Sequence, residues 1–257
     1  DNASYLIGNS YQRFSGRFNA DYEFSKKLKI QLNTSLSRGQ NNRVDAAWAG
    51  GLGAAMSTAL PIFPIRNPDG TYFTGGSNPV RDRELKDWRT VELRSISGIN
   101  LTYKLNNKIN LRAQGSYDYM DLTDDLYEPR EFINSTHAGI AKHSPAWVNN
   151  GNIILTGDYT TKVKEKGNFS VLVGGEYQRS VARSKRIEVT DVEGPYWKGR
   201  GEASNTLEFA APEQVFAFLS SFARANYSYD NKYYFQLNAR VDGSSRFGKE
   251  TRYGFFP

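Results

Sequence analysis

Cysteine is absent from this sequence of 257 residues, and there are only two histidines. Without cysteine there is no disulfide framework, no thiolate metal site and no thiol nucleophile. The two histidines, His137 and His143, are six residues apart in a segment expected to be a loop, which is not a metal-ligand pattern. Several classes of enzyme and metalloprotein are therefore excluded, and no cofactor is expected.

Long apolar runs are also missing. No segment approaches the roughly 18 apolar residues that a membrane-spanning helix requires. The mean hydropathy of −0.62 is that of a hydrophilic chain. A transmembrane β-strand is compatible with this value, because apolar and polar residues that alternate average out as hydrophilic. The abundant residues are instead 16 Tyr, 15 Phe and 23 Gly, which are typical of a β-rich protein with many turns.

The formal charge of +6 raises the question of a nucleic-acid partner. A nucleic-acid surface usually gathers Lys and Arg on one patch, whereas here they are spread along the chain and mostly alternate with apolar residues. We therefore expect no nucleic-acid partner.

Eight segments alternate between apolar and polar residues and pair into four hairpins, at about residues 13–37, 91–120, 152–179 and 215–242. In the first segment one face reads Phe14, Gly16, Phe18, Ala20, Tyr22 and Phe24. The other face reads Arg13, Ser15, Arg17, Asn19, Asp21 and Glu23. Each segment therefore predicts a strand with one apolar side and one polar side.

The connections alternate between short turns and long segments, which cover about residues 38–90, 120–150 and 180–214. Transmembrane barrels show this asymmetry, with short periplasmic turns and long extracellular loops. A soluble β-sandwich is the alternative, but it has frequent turns at both ends and a denser core. The sequence thus predicts an all-β fold, an antiparallel transmembrane β-barrel segment of about eight strands.

A family resemblance enters at the C-terminal part of the sequence. Residues 219–234 predict a hairpin that leads into Arg240-Val241-Asp242-Gly243-Ser244-Ser245-Arg246-Phe247-Gly248, followed by Tyr253-Gly254-Phe255-Phe256-Pro257. These residues resemble a mid-barrel signature of the SusC/RagA family of TonB-linked outer-membrane proteins. Supporting similarities are the hairpin of residues 11–36 and the segment 64–72 followed by Asn78-Pro79.

The resemblance implies that residues 1–257 are one part of a plugged barrel of about 22 strands. The plug, the TonB-contacting box and the remaining strands are not visible in the sequence. The first residues lack a signal peptide, so an excerpt or a processed chain is expected. The family further implies an outer-membrane importer, driven by TonB and capped by a SusD-like lipoprotein, whose cargo is usually an oligosaccharide and in some members a peptide.

Two groups of residues are candidates for this function. A polar inner wall would line a wet lumen and hold the plug through hydrogen bonds. Its predicted members are Arg17, Asn19, Asp21, Arg112, Gln114, Glu176 and Arg240. Aromatic rings in or beside the long loops would stack on sugars. The predicted members are Trp48, Tyr72, Phe73, Trp88, Trp147, Tyr196 and Trp197, with loop-on-loop packing as their alternative role.

Other functions have weaker support in the sequence. Asp118, Asp121, Asp124 and Asp125 form either a calcium site or a solvated loop mouth, and their spacing is not that of an EF-hand. The glycine-rich segment 242–248 lacks the ending of a phosphate-binding loop. No pair of carboxylates has a spacing that indicates catalysis, so an enzyme is not expected. A passive porin of about 16–18 strands remains the alternative transporter.

Overall fold

A computed structural model describes residues 2–3, 8–44, 52–129, 139–192 and 205–257. These residues form one antiparallel sheet of eleven strands with two short helices between the third and fourth strands. The strands are β1 (Asn2–Ala3), β2 (Ser10–Glu23), β3 (Leu28–Asn42), β4 (Asp87–Lys104), β5 (Ile109–Glu128), β6 (Ile140–Val163), β7 (Gly167–Thr190), β8 (Asn205–Ala210), β9 (Gln214–Tyr229), β10 (Tyr233–Ser244) and β11 (Tyr253–Phe256). The helices are α1 (Leu52–Thr58) and α2 (Pro79–Leu85).

The sheet follows the order of the chain from β1 to β7 and then continues through β9, β10 and β11. β8 and β9 lie one after the other along the same edge of β7. β9 pairs with Gly167–Ala182 and β8 pairs with Lys185–Thr190, so the short segment around Pro212 interrupts what would otherwise be one long strand. Among the described residues the sheet does not close, since β1 and β11 are its two edges.

Short side chains of the turn residues shape the tight connections. The Ser25 hydroxyl accepts hydrogen bonds from the amides of Lys27 and Leu28, at 3.2 and 3.1 Å. The Asn106 side chain accepts from the amides of Lys108 and Ile109 in the same way. Such bonds stabilise a turn locally, which is why Ser, Asn and Asp favour these positions. The turns therefore fix the register of the strands that follow them.

The β9–β10 turn depends on backbone conformation as well. Asp230 and Asn231 have φ values of 51° and 49°, and the Lys232 amide donates to the Tyr229 carbonyl at 3.0 Å. Positive φ at both central residues is the feature of a type I′ turn, whose twist matches that of antiparallel strands. Asp and Asn tolerate this region better than other residues that carry a β-carbon.

The four predicted hairpins lie within longer strand pairs, and the connections between them are shorter than expected. β5 continues to Glu128 and β6 starts at Ile140, so most of the expected loop 120–150 is sheet. The sequence pattern did not show this because polar and apolar residues are mixed on both faces here, so the alternation is lost. Trp147, expected at a loop, instead lies inside β6 opposite Asp121. Asp118, Asp121, Asp124 and Asp125 were expected at a solvated loop mouth. This expectation is wrong, because all four lie within β5.

The apolar side chains of the strands do not pack into a core. Among the described residues, the buried apolar side chains are Ala141, Val189 and Val192. By contrast, Phe14 is 71% exposed, Phe18 is 60% exposed and Phe24 is 69% exposed. No second layer of described residues covers this face. A β-sandwich would bury it, so the sandwich alternative is wrong.

The connection between β3 and β4 is organised around the side chain of Asn78, which is 3% exposed. Its carbonyl oxygen accepts from the Arg81 amide at the start of α2, and its amide nitrogen donates to the carbonyls of Ile65 and Phe73. One buried side chain thus caps the helix and also joins it to the segment 65–73. This places Tyr72 next to Glu84 of α2.

The turn geometry leads to a first prediction. Asn231→Val places a β-branched residue at positive φ and should lower the free energy of unfolding by about 1–2 kcal/mol. Asn231→Gly should leave it nearly unchanged, since glycine adopts positive φ without strain. Urea unfolding in detergent of the barrel that contains this chain measures both. Equal destabilisation by Val and Gly would show that the side chain of Asn231, and not its φ, is what matters.

Candidate functional site: a wall with two faces

Strand register sorts the side chains into two faces, because residues directly opposite each other in neighbouring strands point to the same side. One row crosses the sheet as Leu32, Ile99, Gly115, Ile153, Tyr177 and Leu219. The next row is Asn33, Gly98, Ser116, Asn152, Gln178 and Phe218. We call the side of the first row the apolar face and the side of the second the polar face.

The turns are staggered from hairpin to hairpin. The row that starts at Leu28, the first residue of β3, reaches β10 at Ala239, which is six residues beyond the first residue of β10, Tyr233. Six residues along a strand are about 20 Å, and the six strand spacings crossed are about 29 Å. If the turns lie in one plane, the strands tilt by about 35°, as strands do in transmembrane barrels.

The polar face carries ion pairs between neighbouring strands. Arg94 of β4 donates two hydrogen bonds to the Asp118 carboxylate of β5, at 2.9 and 2.7 Å. Asp158 of β6 accepts from Asn110 at 2.7 Å and lies 4.0 Å from Arg112. Because each charged side chain is paired in this way, the sheet presents a polar surface on which these charges are compensated.

The largest such cluster connects four strands around Arg240. Its guanidinium donates to Asp242 at 2.7 Å, to Ser220 at 3.1 Å and to Glu176 at 3.4 Å. Glu176 also accepts from Asn152 of β6 at 3.2 Å. The cluster therefore joins β6, β7, β9 and β10 on the polar face. The Phe222 ring lies beside it, 5.7 Å from the Arg240 guanidinium carbon.

All seven residues predicted to line a lumen lie on the polar face. The structure brings Glu176 and Arg240 together, whereas Arg17, Asn19 and Asp21 lie on β2, near the opposite edge of the sheet. Sequence reasoning did not include Arg94, Asp118 or Asp158 among the lumen-lining residues, although it had considered Asp118 for calcium. Counting residues outward from the tight turn at 106–108 would have placed Arg94 and Asp118 diagonally across β4 and β5.

The predicted cargo-binding aromatics that the structure describes contact other residues of the chain. The Arg66 guanidinium lies over the Tyr72 ring, with its carbon 4.1 Å from the ring centre, and the Tyr72 hydroxyl donates to Glu84. Phe73 stacks on Phe63 with ring centres 5.2 Å apart. These contacts favour the packing role for both rings, and a role in cargo binding stays a prediction.

Trp88, at the start of β4, is surrounded by charged groups. The Arg43 guanidinium carbon lies 4.1 Å from its ring centre and the Lys86 ammonium lies 5.6 Å away. Its indole N–H donates to Asp124 at 3.1 Å. A ring already covered by a cation has less open surface for a sugar. Trp147 lies on the apolar face within β6, and Trp48, Tyr196 and Trp197 fall outside the described residues.

The four aspartates considered for calcium do not converge. Asp118 and Asp124 lie on the polar face and Asp121 and Asp125 on the opposite side, because β5 alternates. Asp125 accepts from Arg89 at 3.3 Å and lies 2.6 Å from His143 Nδ1. Within the described ranges no group of three or more possible ligands could hold a metal ion.

Comparisons with known proteins agree with this geometry. No family model matches the chain. TonB-dependent receptor SusC of Bacteroides thetaiotaomicron is 27% identical over 292 residues, covering 96% of this chain and 27% of the receptor. TonB-dependent receptor P26 of Formosa agariphila is 26% identical over 266 residues, covering 96% of the chain and 26% of the receptor. The chain thus spans about a quarter of the length of these relatives.

Solved structures show the same fold. The RagAB peptide transporter superposes with a TM-score of 0.79 at 19% identity, covering 96% of this chain and 29% of that one. The ferric citrate transporter FecA superposes with a TM-score of 0.54 at 8% identity, covering 97% and 32%. No helix in the described parts of the chain is long and apolar enough to span a membrane.

The tilted, two-faced sheet and these superpositions define a fold class: the chain folds as a segment of β-barrel wall, like part of the barrels of TonB-dependent transporters. Within that class, the resemblance to the SusC/RagA family is confirmed by the similarity to SusC and to the Formosa receptors along nearly the whole chain.

A second prediction concerns Tyr72. Its pKa is raised above 10.0, chiefly because the hydroxyl donates to the Glu84 carboxylate. A raised pKa means that this bond stabilises the β3–β4 connection fully below the ordinary tyrosine pKa and is lost as the pH rises through the raised value. Glu84→Gln should therefore lower the pKa of Tyr72. Selective ¹³C-tyrosine NMR, with Tyr72→Phe to assign the signal, measures it. An unchanged pKa would place the hydroxyl away from Glu84.

A third prediction tests the two faces with neighbouring residues of β6. Leu155→Arg puts a cation on the apolar face and should destabilise the barrel by about 2–4 kcal/mol if that face meets lipid. Thr156→Arg puts the same cation on the polar face and should have little effect. Unfolding in lipid vesicles, followed by heat-modifiable migration on gels, gives both values. Similar losses for the two variants would contradict the assignment of faces.

Proposed function

We propose that this chain forms part of the wall of an outer-membrane importer that is driven by TonB and carries a large nutrient. The observation that supports this most directly is the unbroken separation of an apolar face from a polar face across staggered strands. Such a wall suits lipid on one side and a wet, plugged lumen on the other. The relatives are receptors of the same class, which supports transport rather than catalysis.

In this proposal the polar face lines the lumen and contacts the plug. Arg17, Arg112 and Arg240 have half-exposed or more exposed side chains that can offer donors to a plug surface. Carboxylates offset the charge of two of them, since Arg112 lies 4.0 Å from Asp158 and Arg240 lies 3.4 Å from Glu176. Paired charges also keep the wall from holding an ionic cargo too tightly. We propose that energy reaches the barrel through TonB, with no nucleotide and no cofactor bound by this segment.

The proposed cargo is an oligosaccharide delivered with a SusD-like surface lipoprotein. The resemblance to the SusC/RagA family, whose cargo is usually an oligosaccharide, supports this assignment, and the similarity to SusC extends along 96% of the chain. Peptide cargo is the second candidate, and it is favoured by one specific observation. Two of the structures that superpose on this chain are described as a peptide transporter and a peptide importer.

A fourth prediction tests the importer against a passive porin. Cells that express the complete protein should take up labelled oligosaccharide when TonB is present, and uptake should fall to background when TonB is deleted. A porin would conduct equally in both strains, because diffusion needs no energy input. The same measurement with labelled peptides of similar size identifies the cargo. Deleting the gene of the lipoprotein that co-purifies with the barrel should lower uptake at limiting cargo concentration.

A further inference from the structure

The apolar face is not uniform, and a groove of about 650 Å³ runs across its centre. Among the residues that line it are Leu32, Ile99, Ile153 and Tyr177, with Gly115 and Gly151 between them. The two glycines have no side chain to fill the face at these points. A β-carbon at Gly151 would meet only Tyr117, at 4.0 Å, so the groove is open there.

A second groove of about 710 Å³ follows on the same face, toward the tight turns. Its lining includes Ala113 and Leu155, each two residues along its strand from Gly115 and Ile153 of the first groove. It extends to Leu28 and Val173 at the row where β3 begins. The two grooves therefore lie in adjoining rows of the apolar face and together offer an apolar depression that a hydrocarbon chain can fill.

Arg179 lies at the other end of the first groove. It is exposed, and it makes no hydrogen bond or ion pair with any other described residue. The next two cations along the same face of β7 differ in this respect. Arg183 pairs with Glu213, and Lys185 lies 3.3 Å from Glu208. Arg179 alone of these three therefore presents an uncompensated charge beside an apolar groove.

The height of Arg179 matches the level of lipid headgroups. It is twelve residues from Gly167, the first residue of β7 after the tight turn. Twelve residues are about 40 Å of strand, or about 32 Å of height at a tilt of about 35°. The apolar band of such barrels is about 25 Å tall. A guanidinium at that height reaches the phosphates on the side of the long loops, and it binds phosphate well because its donors form a fork.

We propose that this depression holds an acyl chain of lipid A, the phosphorylated glycolipid of the outer leaflet, and that Arg179 pairs with its phosphate. The proposal rests on the membrane placement given under the proposed function. The groove supplies the apolar contact and Arg179 supplies the charge complementarity. A lipid held in this way would be a specific ligand of the wall, in contrast to the lipids that merely surround a barrel.

The chain offers matched controls for both parts of the site. Arg179→Gln removes the charge at the groove, and Arg38→Gln removes an exposed arginine of the same face that has no described partner and does not line the groove. Gly151→Leu fills the groove, and Gly16→Leu adds the same side chain to the same face where no atom lies within 4 Å. Heat-modifiable migration confirms that each variant folds.

The experiment is native mass spectrometry of the complete protein in mild detergent, after incubation with lipid A or with dephosphorylated lipid A. The wild type, R38Q and G16L should retain more phosphorylated lipid A than dephosphorylated lipid A. R179Q should retain it about five-fold less and lose the preference, since one arginine near an anionic membrane surface contributes about that much to binding. G151L should retain less of both forms.

Several outcomes would overturn the proposal. These are equal losses in R179Q and R38Q, full retention by G151L, equal retention of phosphatidylglycerol, or a second copy of the protein bound in place of lipid. The transport assay is read separately. If uptake does not depend on TonB, the importer proposal fails, but a difference between R179Q and R38Q would still support the lipid site.

Discussion

The structure depends on two constraints that act on every strand. Its backbone N–H and C=O groups must form hydrogen bonds with the neighbouring strands, and its two faces must suit different surroundings. Extended backbone with a period of two residues meets both demands at once. Register is then critical, because a shift of one residue would exchange the faces of a whole strand. The side chains of Ser25 and Asn106 and the positive φ of Asp230 and Asn231 hold that register at the turns. The polar clusters, the apolar groove and the tilt all follow from strands fixed in this way.

Much of this wall could be predicted from the sequence where alternation was strong. Phe14 to Phe24 and Ile109 to Tyr119 predicted their strands because large apolar residues recur at every second position. The prediction ended too early where the strand continues with polar and apolar residues mixed on both faces, as at Asp121 to Glu128 and at Ile140 to Asn150. Periodicity reports a difference between two environments. Where both faces carry the same mixture of polar and apolar residues, that difference vanishes, although the hydrogen-bond ladder continues.

The sequence predicted which residue types line the polar face, but it did not predict which of these side chains contact each other. The polar alternation identified Glu176 and Arg240, yet their contact depends on the pairing of β7 with β9 across a connection of more than twenty residues. The aromatic residues were harder still. Other side chains cover the three rings: Arg43 lies over Trp88, Arg66 lies over Tyr72, and Phe63 stacks on Phe73. None of these is adjacent in sequence to the ring that it covers. Composition can show that rings are present, but only three-dimensional packing shows which ring surfaces remain open.

The interruption between β8 and β9 has a consequence for how such a wall can vary. Ala211, Pro212 and Glu213 leave the ladder, while Ala211 still donates to the Ser184 carbonyl and Glu213 reaches Arg183. Residues gained or lost at this joint would change the upper tier of the wall without displacing β9 against β7 below it. The joint therefore lets the end of the sheet that contains β8 vary in sequence and length while the register between β7 and β9 is kept.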